Sequence, residues 1–386
     1  MAGSLLWPNV ARLCRAFRDV GFEVSVVALA EHPVHETRAH GGSSIYLPRA
    51  PVESLRQAIA THQPDIVIPC DDRIVSHLSR LRASGDADLA GLIETSIGLG
   101  AAEGVVSRRA TLGKIRTLPD VRVPRTDAIA SVAGLRDWAR RNGLPAVLKL
   151  DGSWGGRDVI RIRRESQLAS AFLSMRLRQS ALRGVKRFVF ERDVEALNAP
   201  RGKAAVTVQA YVPGRPANVA IACWKGELLA CIAVETLQSA SPFGRSTVVR
   251  VVDGEAMVAA ARAVSAHFQL SGIHGLDFVI DESGRAHLIE INPRATQTAH
   301  LPLGAGRDLP AALMGALSGN FACRPAINRH EIALFPQEWQ RDRASPYLSS
   351  AFHDLPLDDP ELERWFGFDR AYDWPRQAET PLKTVG

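Results

Sequence analysis

The sequence predicts two kinds of fold in one chain: a doubly wound parallel-sheet α/β domain over about the first hundred residues, then an α+β unit with antiparallel sheets. Two observations support this division. The N-terminal part alternates amphipathic helices with continuous apolar strands, which is typical of a parallel sheet covered by helices on both faces. In the later part the strands follow one another as hairpins, and the clearest hairpin spans residues 274–294.

The elements of the N-terminal domain follow from this alternation. We expect helices at about 7–20, at 52–62 and from 72 onward, with strands at 23–30 and 65–70. Such a domain normally opens with a strand, and no strand pattern precedes the first helix. The sheet is therefore expected to lack this strand, unless the start codon has been placed too late.

The acidic pair Asp71 and Asp72 lies just past the second predicted strand. Ligands bind outside the carboxyl ends of strands in open α/β sheets, so the pair is a candidate binding feature. An aspartate before a helix is an equally good N-cap. Both interpretations stay open.

Changes in pattern divide the rest of the chain. A helix and an extended, proline-containing connection at 106–126 indicate a domain boundary. We divide the chain into an α/β domain (1–105), a small α+β subdomain (106–185), a larger one (186–325) and a C-terminal appendage rich in Pro, Trp and charge (326–386). Between the boundary and the appendage we predict helices at 131–142, 165–182 and 254–269, strands at 146–150 and 205–214, and hairpins at 217–235 and 274–294.

The hairpin at 274–294 carries the strongest chemical signal. Two alternating apolar runs flank a Ser-Gly dipeptide, which predicts a two-residue loop. In that register Asp277 lies opposite Glu290, and Asn292 follows on the same face because side chains two apart on a strand point the same way. Two carboxylates among Val, Ile and Leu need a cation to offset their repulsion, and Mg²⁺ favours such ligands together with substrate phosphates.

The composition is that of an ordinary globular protein, with 46% apolar residues among 386. The formal net charge is +6, but the excess is diffuse, and only six of the 47 basic residues are lysine. No basic run of the nucleic-acid-binding type appears. We expect no nucleic-acid partner, because an anionic small substrate such as a nucleotide explains the charge equally well.

The five cysteines are odd in number and lack a CxxC or Cys/His spacing suited to zinc. Cys223 and Cys231 lie on one predicted hairpin with a Lys225-Gly226 loop, where they are not opposite each other. This pattern fits reduced core thiols in a cytoplasmic protein. The N-terminus has arginines at helical spacing, unlike a signal peptide. No apolar run approaches the ~20 residues of a membrane span, so we expect no membrane partner.

A second chemical signal is Lys149, at the end of the predicted strand 146–150. A loop with Gly152, Gly155 and Gly156 follows at once. Glycines let backbone N–H groups approach phosphates, and a lysine beside them supplies a point charge. The loop matches neither the GxxxxGK[ST] nor the GxGxxG pattern. It indicates a phosphate site only because one of the few lysines of the chain lies directly before it.

In this order the parts resemble the ATP-grasp superfamily: an α/β domain, a lysine strand with a glycine-rich lid, a linking strand VQAYVPG and a D…ExNxR hairpin. The resemblance covers roughly residues 1–325 and is most specific at Asp277-x12-Glu290-x-Asn292-x-Arg294. It implies an ATP-grasp fold of two α+β subdomains that sandwich the adenine of ATP. It also implies two Mg²⁺ ions, or Mn²⁺ in their place, that bridge the triphosphate to the acidic hairpin.

The resemblance further implies roles for individual residues. Glu290 would bridge both ions, while Asp277 and Asn292 would each complete one. Lys149 would contact the α-phosphate side of the nucleotide, and Arg294 the γ-phosphate or the acyl phosphate made from it. Other nucleotide contacts would come from a basic residue before the linker, the lid glycines and the hinge backbone, namely Arg108, Gly155, Gly156, Gln209, Ala210, Tyr211 and Val212.

The chain departs from the family pattern at three positions. The second phosphate-binding basic residue, often lysine in the family, falls on Arg108 or Arg109. The glutamate that commonly binds the ribose falls on Pro216, with Asn218 as the nearest polar replacement. Asp158 stands where the lid usually has its second GxG glycine.

The resemblance implies an ATP-dependent carboxylate–amine ligase whose partners are ATP, a carboxylate and an amine. ATP would phosphorylate the carboxylate, and the amine would displace phosphate to give an amide. No covalent enzyme intermediate is needed, in agreement with a sequence that shows no Ser/His/Asp or Cys/His set. Arg245 and Arg250 are candidates for binding the carboxylate, and His274 and His300 for polar contacts, although structural roles are expected at least as often.

Two alternatives stay open. A bicarbonate-activating enzyme of the biotin carboxylase or carbamoyl phosphate kind has a similar ExNxR signature, but the sequence has no biotin-attachment motif such as MKM. A nucleotide-binding module without catalysis is disfavoured by the intact metal ligands. A cytoplasmic location is a further expectation, with a homodimer as an open alternative to a monomer.

Overall fold

The computed structural model describes residues 1–98, 100, 108–150, 159–178 and 206–370. Within these ranges the named strands form a two-stranded parallel sheet, a four-stranded antiparallel sheet and a seven-stranded mixed sheet. Mixed sheets packed with helices agree with the predicted α/β and α+β character of the chain.

The N-terminal domain is built around the small parallel sheet. Its elements are α1 (Asn9–Asp19), β1 (Ser25–Ala28), a 3₁₀ turn (Pro33–Glu36), β2 (Gly42–Ile45), α2 (Pro51–His62), α3 (Asp72–Arg82) and α4 (Ala87–Ile97). The three predicted helices are present, whereas β2 and α4 were not predicted. Val26 of β1 packs in the same core as α1, and Val27 packs in the core of α2 to α4, so helices cover both faces of β1.

The first three residues run alongside β1 without forming a named strand. Ala2 forms parallel bridges to Val27 on one side and to Pro69 on the other. Backbone hydrogen bonds from Ala2 N to Ile68 O and from Gly3 N to Val27 O, both 3.0 Å long, hold it there. These residues therefore take the place of a first strand through isolated bridges only, and the named sheet consists of β1 and β2.

The four-stranded sheet and its helices come next in the chain. The elements are α5 (Arg108–Ile115), β3 (Thr126–Ile129), α6 (Val132–Asn142), β4 (Ala146–Leu150), β5 (Val159–Ile162), α7 (Leu168–Arg178) and β6 (Val206–Ala210). The sheet order is β3-β6-β4-β5. Since β6 pairs with both β3 and β4, the small sheet includes a strand from beyond the boundary that we proposed at residue 186.

This sheet has one apolar and one polar face. Leu148 and Val208 pack with Trp138 of α6 in a separate hydrophobic core. Side chains alternate along a strand, so Lys149 and Gln209 lie on the opposite face. The alternation therefore places a lysine and an amide side by side, away from the helices.

The seven-stranded sheet forms the body of the C-terminal half. The elements are β7 (Arg215–Trp224), β8 (Glu227–Ser239), β9 (Ser246–Val251), α8 (Glu255–Phe268), β10 (Gly272–Ile280), β11 (Ala286–Asn292), α9 (Leu309–Ser318), β12 (Glu331–Ala333), α10 (Gln337–Arg341), α11 (Tyr347–Ser350), β13 (Phe352–His353) and α12 (Pro360–Trp365). The order is β11-β10-β7-β8-β9-β12-β13. The predicted C-terminal appendage therefore extends the sheet by β12 and β13.

The large sheet packs on the N-terminal domain through both of its faces. On one face Ile221 and Leu276 share a core with Ile74 of α3. On the other, Ile232 shares a core with Phe17 of α1. Each fully buried side chain of this size contributes about 1.5–3 kcal/mol of transfer free energy, so apolar contact holds the two parts together.

The β7–β8 hairpin confirms its predicted two-residue loop. Lys225 and Gly226 have φ angles of 49° and 87°, and both signs are those that a type I′ turn requires. Cys223 and Cys231 do not pair with each other on the two strands, and all five cysteines are free thiols. The prediction that these two cysteines are not opposite each other is confirmed, whereas Cys323 is exposed and so is not a core thiol.

Candidate functional site

The β10–β11 hairpin brings the three predicted metal ligands together. Asp277 pairs directly with Glu290, as predicted, and Asn292 pairs with Gly275. Asn292 Nδ2 donates a 2.9 Å hydrogen bond to Asp277 Oδ2, so the two side chains meet on one face. Two carboxylates and one amide are thus gathered on a single hairpin.

This register is correct although the loop was predicted wrongly. Asp281 and Arg285 close a loop of three residues rather than two, with Gly284 at a φ of 79°. That loop alone would place Asp277 opposite the residue before Glu290. A β-bulge next to Asp277 adds one residue to β11 and restores the predicted pair.

Asp277 is held by amide groups on both of its oxygens. Asn218 Nδ2 donates to Oδ1 at 2.7 Å, and Asn292 donates to Oδ2. Burial of the carboxyl group, followed by the charge of Glu290, raises the pKa of Asp277 above its usual range. Two acids that oppose each other's ionisation in this way need a cation nearby for both to be charged.

The donor set suits a hard cation. A carboxylate oxygen has two lone pairs, so each oxygen of Asp277 keeps one beside its amide hydrogen bond. Mg²⁺ is usually held by one or two carboxylates, with water and substrate phosphates completing its shell. No group of three or more His, Cys, Asp or Glu residues in the described ranges is placed to hold a metal.

Arg294 lies where the hairpin meets the N-terminal domain. Its Nε donates to Asp72 Oδ1 at 2.9 Å, its Nη2 to Asn292 Oδ1 at 3.2 Å and its Nη1 to Ala295 O at 3.2 Å. The guanidinium carbon is 5.9 Å from the centre of the Trp7 ring. The side chain is only 16% exposed, so water screens its charge weakly.

The strand predicted at 65–70 is absent apart from an isolated bridge at Pro69, and the two acidic residues that follow it have different partners. Asp71 is the N-cap of α3 and accepts hydrogen bonds from Ile74 N at 3.0 Å and from Ser4 N at 2.6 Å. Asp72 binds Arg294 instead. The N-cap interpretation is confirmed for Asp71, and Asp72 brings a carboxylate of the N-terminal domain to the hairpin.

Lys149 lies on the polar face of the four-stranded sheet. Its Nζ donates to Gln209 Oε1 at 2.8 Å, and Gln209 Nε2 donates in turn to Thr126 Oγ1 at 3.0 Å. Both Lys149 and Gln209 are buried. The amide of Gln209 holds the ammonium group on this face, and an ammonium group there suits a contact with phosphate.

The predicted hinge at 209–212 leads out of the small sheet. The N–H groups of Ala210 and Tyr211 donate to backbone carbonyls of the same subdomain, at 2.9 and 3.2 Å. In the described part of the chain, the N–H of Val212 has no hydrogen-bond partner. Val212 is half-buried, so among these hinge residues its N–H is the one left open to an acceptor.

Part of the predicted nucleotide site lies outside the described residues. The lid glycines Gly155 and Gly156 and the neighbouring Asp158 fall there. Arg108 is the first residue of α5, and its side chain also lies outside the description. The roles assigned to these residues remain predictions.

Two residues of the site region were missed or misassigned from the sequence. Arg161 of β5 places its guanidinium carbon 3.7 Å from the centre of the Tyr211 ring, and its buried Nε has no hydrogen-bond partner in the described ranges. Asn218, considered as a replacement for the ribose glutamate, binds Asp277 instead, 59 residues away. Both contacts join separate strands or segments, so no local spacing could have revealed them.

The two arginines considered for the carboxylate substrate lie on the outer part of the large sheet. Arg250 is 48% exposed and forms a 2.8 Å ion pair with Glu331 on the neighbouring strand. Arg245 is exposed in the β8–β9 loop and also has an interaction partner. The Arg250 ion pair favours the structural interpretation for that residue.

The two histidines near the hairpin are buried. His274 Nε2 lies 2.6 Å from a backbone oxygen, and burial lowers the pKa of His274 to about 4. His300 Nε2 lies 2.9 Å from the carboxylate of Asp354, and burial lowers its pKa as well. Both are core residues, which agrees with the structural interpretation.

Fold and site together define the fold class. A small sheet with a buried lysine, a hinge strand and an acidic hairpin that runs into an arginine are the parts of an ATP-grasp fold, which solved structures share. Residues 203–334 match a family described as "ATP-grasp in the biosynthetic pathway with Ter operon". No curated protein matches the sequence.

Several solved structures share this fold. L-amino acid ligase from Bacillus licheniformis is 16% identical, with a TM-score of 0.59 over 83% of this chain and 77% of that one. N5-carboxyaminoimidazole synthase from Aspergillus clavatus, solved with ADP, is 17% identical, with a TM-score of 0.56 over 81% and 75%. Biotin carboxylase from Campylobacter jejuni is 12% identical, with a TM-score of 0.55 over 84% and 72%. At these identities the likeness shows the fold alone.

The helices that the structure describes were also compared with the requirements for crossing a membrane. None of them is both long enough and apolar enough.

Proposed function

We propose that this protein is an ATP-dependent ligase that activates a carboxylate as an acyl phosphate and joins it to an amine. The observation that carries the proposal is the pairing of Asp277 with Glu290, beside Asn292 and in hydrogen-bond contact with Arg294. An acidic metal site joined to a buried arginine is what transfer of a phosphoryl group requires.

Nucleotide binding is assigned to the small sheet and its hinge. Lys149 supplies a fixed positive charge for the phosphates, because Gln209 holds its ammonium group on the polar face. The N–H of Val212 is proposed to donate to the edge of the adenine ring. Arg108 and the lid glycines are proposed as further phosphate contacts.

Metal binding is assigned to the hairpin. Asp277, Glu290 and Asn292 would hold two Mg²⁺ ions, with Glu290 between them. When bound, the ions neutralise charge on the triphosphate. Asn218 orients Asp277 through its 2.7 Å hydrogen bond and so keeps the carboxylate directed at the site.

The reaction then takes two displacements. A carboxylate oxygen attacks the γ-phosphorus of ATP, the bond from this phosphorus to the bridging oxygen breaks, and ADP leaves. The amine nitrogen attacks the acyl carbon, phosphate leaves with the bonding electron pair, and the nitrogen loses a proton to give the amide. Arg294 has two N–H groups beyond the three in hydrogen bonds, and these stabilise the negative charge of the transferred group.

Nucleotide binding is the first test of this assignment. A ligand that binds only the folded chain raises its free energy of unfolding by RT ln(1 + [L]/Kd). We therefore expect MgATP to raise the midpoint of thermal unfolding. Lack of any shift at millimolar MgATP would contradict the proposal and the bicarbonate alternative together.

A substrate screen tests the reaction itself. Purified protein is incubated with MgATP and pairs of carboxylic acids and amines, and released ADP and phosphate are measured while mass spectrometry identifies the amide. Release that requires both partners supports the ligase. Turnover with bicarbonate alone would move the chain to the bicarbonate-activating class, and nucleotide binding without turnover by any pair would indicate a binding module.

A further inference from the structure

Arg294 is held by groups from two parts of the fold. Three of its five N–H donors bind the carboxylate of Asp72 (2.9 Å), the amide oxygen of Asn292 (3.2 Å) and the backbone oxygen of Ala295 (3.2 Å). Asn292 and Ala295 belong to β11 and the turn after it. Asp72 comes from the N-terminal domain, 222 residues away in sequence.

The backbone at Asp72 is fixed by the hydrogen bonds of the neighbouring residue, Asp71. Asp71, the residue before it, is buried and caps α3 through its hydrogen bond with Ile74 N. The same carboxylate also accepts from the backbone N–H and the hydroxyl of Ser4. Because Asp71 satisfies the helix end, the carboxylate of Asp72 is not needed there, and it binds Arg294 from the first residue of α3.

The pair is better explained by orientation than by stability. Asp72 is 31% exposed and Arg294 is 16% exposed, and ion pairs near the surface stabilise a fold little. A guanidinium that meets a phosphoryl group through two N–H groups depends on the direction of its planar fork. The contact of Nε with Asp72 sets that direction, while the Trp7 ring lies 5.9 Å from the guanidinium carbon.

We propose that Asp72 is the positioning residue for Arg294. By binding Nε, it aims the two remaining N–H groups of the guanidinium at the γ-phosphoryl group of ATP. This inference rests on the proposed function and deepens it, because it makes the N-terminal domain part of the phosphoryl-transfer site. Asp72 acts through Arg294 and does not touch the reacting atoms.

The test compares the affinities for MgATP and MgADP, which differ by the γ-phosphate, and needs no knowledge of the acid or the amine. Isothermal titration calorimetry on the full chain gives both dissociation constants. We expect the wild type to prefer MgATP, and Asp72→Asn to lower this preference about tenfold, or about 1.4 kcal/mol, with the affinity for MgADP unchanged. Asp72→Ser, which removes both the charge and the reach of the side chain, provides a second variant with the same readout.

A matched control and a double variant separate positioning from general damage. Glu94→Gln breaks an ion pair with Arg82 in the same domain, where Glu94 is 34% exposed, and should leave the preference unchanged. Arg294→Gln should lose the preference, and adding Asp72→Asn to it should cause no further loss, because Asp72 acts only through Arg294.

The outcomes distinguish this inference from the proposed function. A wild type that binds neither nucleotide overturns both. A wild type that prefers MgATP, together with an unchanged preference in Asp72→Asn, overturns the inference alone, as does a double variant whose losses add. Equal affinities for both nucleotides in the wild type also overturn it, since Arg294 would then not contact the γ-phosphate.

Discussion

The acidic hairpin and the polar face of the four-stranded sheet are the two halves of the candidate site, and they are assembled differently. In the hairpin, Asp277 and Asn292 are 15 residues apart, and one turn brings them together. On the sheet face, Lys149 and Gln209 are 60 residues apart, and Gln209 and Thr126 are 83 apart. A local hairpin can be recognised in a sequence, whereas a face made by distant strands requires the fold.

The largest expected effect is the loss of ADP release when a carboxylate of the acidic hairpin is removed. Glu290→Ala removes a carboxylate from the hairpin, and we expect ADP release with the substrate pair to fall by about 10²–10³-fold because charge in the transition state is no longer offset. Steady-state ADP release measures this, with circular dichroism to confirm the fold. Glu282→Ala, on the exposed loop of the same hairpin, is the matched control. Undiminished turnover in Glu290→Ala would remove the metal-site assignment.

Mild acid should weaken the large sheet through its buried histidine. The sequence has no histidine from residue 78 to residue 266, whereas His274 on β10 is fully buried and burial lowers its pKa to about 4. The unfolded chain protonates histidine near pH ~6.5, so it binds more protons than the folded chain between that pH and about 4. The contribution of His274 is therefore fully present above this window. It should be lost as the pH falls through it, by on the order of 3 kcal/mol.

Urea unfolding across this pH range measures the effect. The free energy of unfolding of the wild type should decrease steadily with pH, and His32 and His353, whose pKa values burial also lowers to about 4, act in the same direction. His274→Gln keeps a donor for the backbone oxygen but cannot be protonated, so its pH dependence should be shallower. An identical pH dependence in the variant and the wild type would argue against a buried neutral His274.

A third variant tests whether the charge of Lys149, on the polar face of the four-stranded sheet, contributes to ATP binding. Lys149→Met keeps most of the side-chain volume but removes the charge, and we expect the KM for ATP to rise by about 10–50-fold because a hydrogen bond to a charged group contributes about 1.5–3 kcal/mol. The turnover number should change less than in Glu290→Ala. Lys225→Met, in an exposed turn, serves as the control. A larger loss of turnover than of ATP affinity would mean that the two halves do not divide binding and catalysis as proposed.

The smallest expected effect concerns Arg161, which stacks on Tyr211 beside the hinge. Removing this contact with Arg161→Leu should raise the KM for ATP by about two- to fivefold, in keeping with about 0.5–1 kcal/mol for a cation–π contact. Arg163→Leu, on an exposed position two residues later, is the control. If both variants behave alike, Arg161 is a structural residue of β5 and not a wall of the nucleotide site.

The hairpin was predictable, but for an incomplete reason. Alternation and turn residues indicated the strands and the opposition of Asp277 and Glu290. The loop has three residues rather than two, and the bulge beside Asp277 compensates for the difference. No simple spacing rule anticipates a bulge, because it depends on how the side chains of both strands pack against neighbouring elements.

The rest of the site depended on contacts between distant segments. Lys149 was recognisable by its place before a glycine-rich loop, yet its partner Gln209 could be found only in the folded sheet. Asp72 and Arg294 belong to different domains, and nothing in the local pattern of either residue indicates the other. The bridges that Ala2 forms to Val27 and Pro69 could not be predicted, because so short a segment cannot show side-chain alternation.

The match to the ATP-grasp family ends at residue 334, but the large sheet continues. β13 pairs with β12 in parallel, and residues beyond the match cover the fully buried Val248 and Ala333. A fragment cut at the end of the match would expose this apolar surface and an unpaired strand edge, and such edges pair with other chains. The C-terminal segment therefore covers this edge of the sheet, and a fragment of the C-terminal half that is to stay soluble should extend past α12.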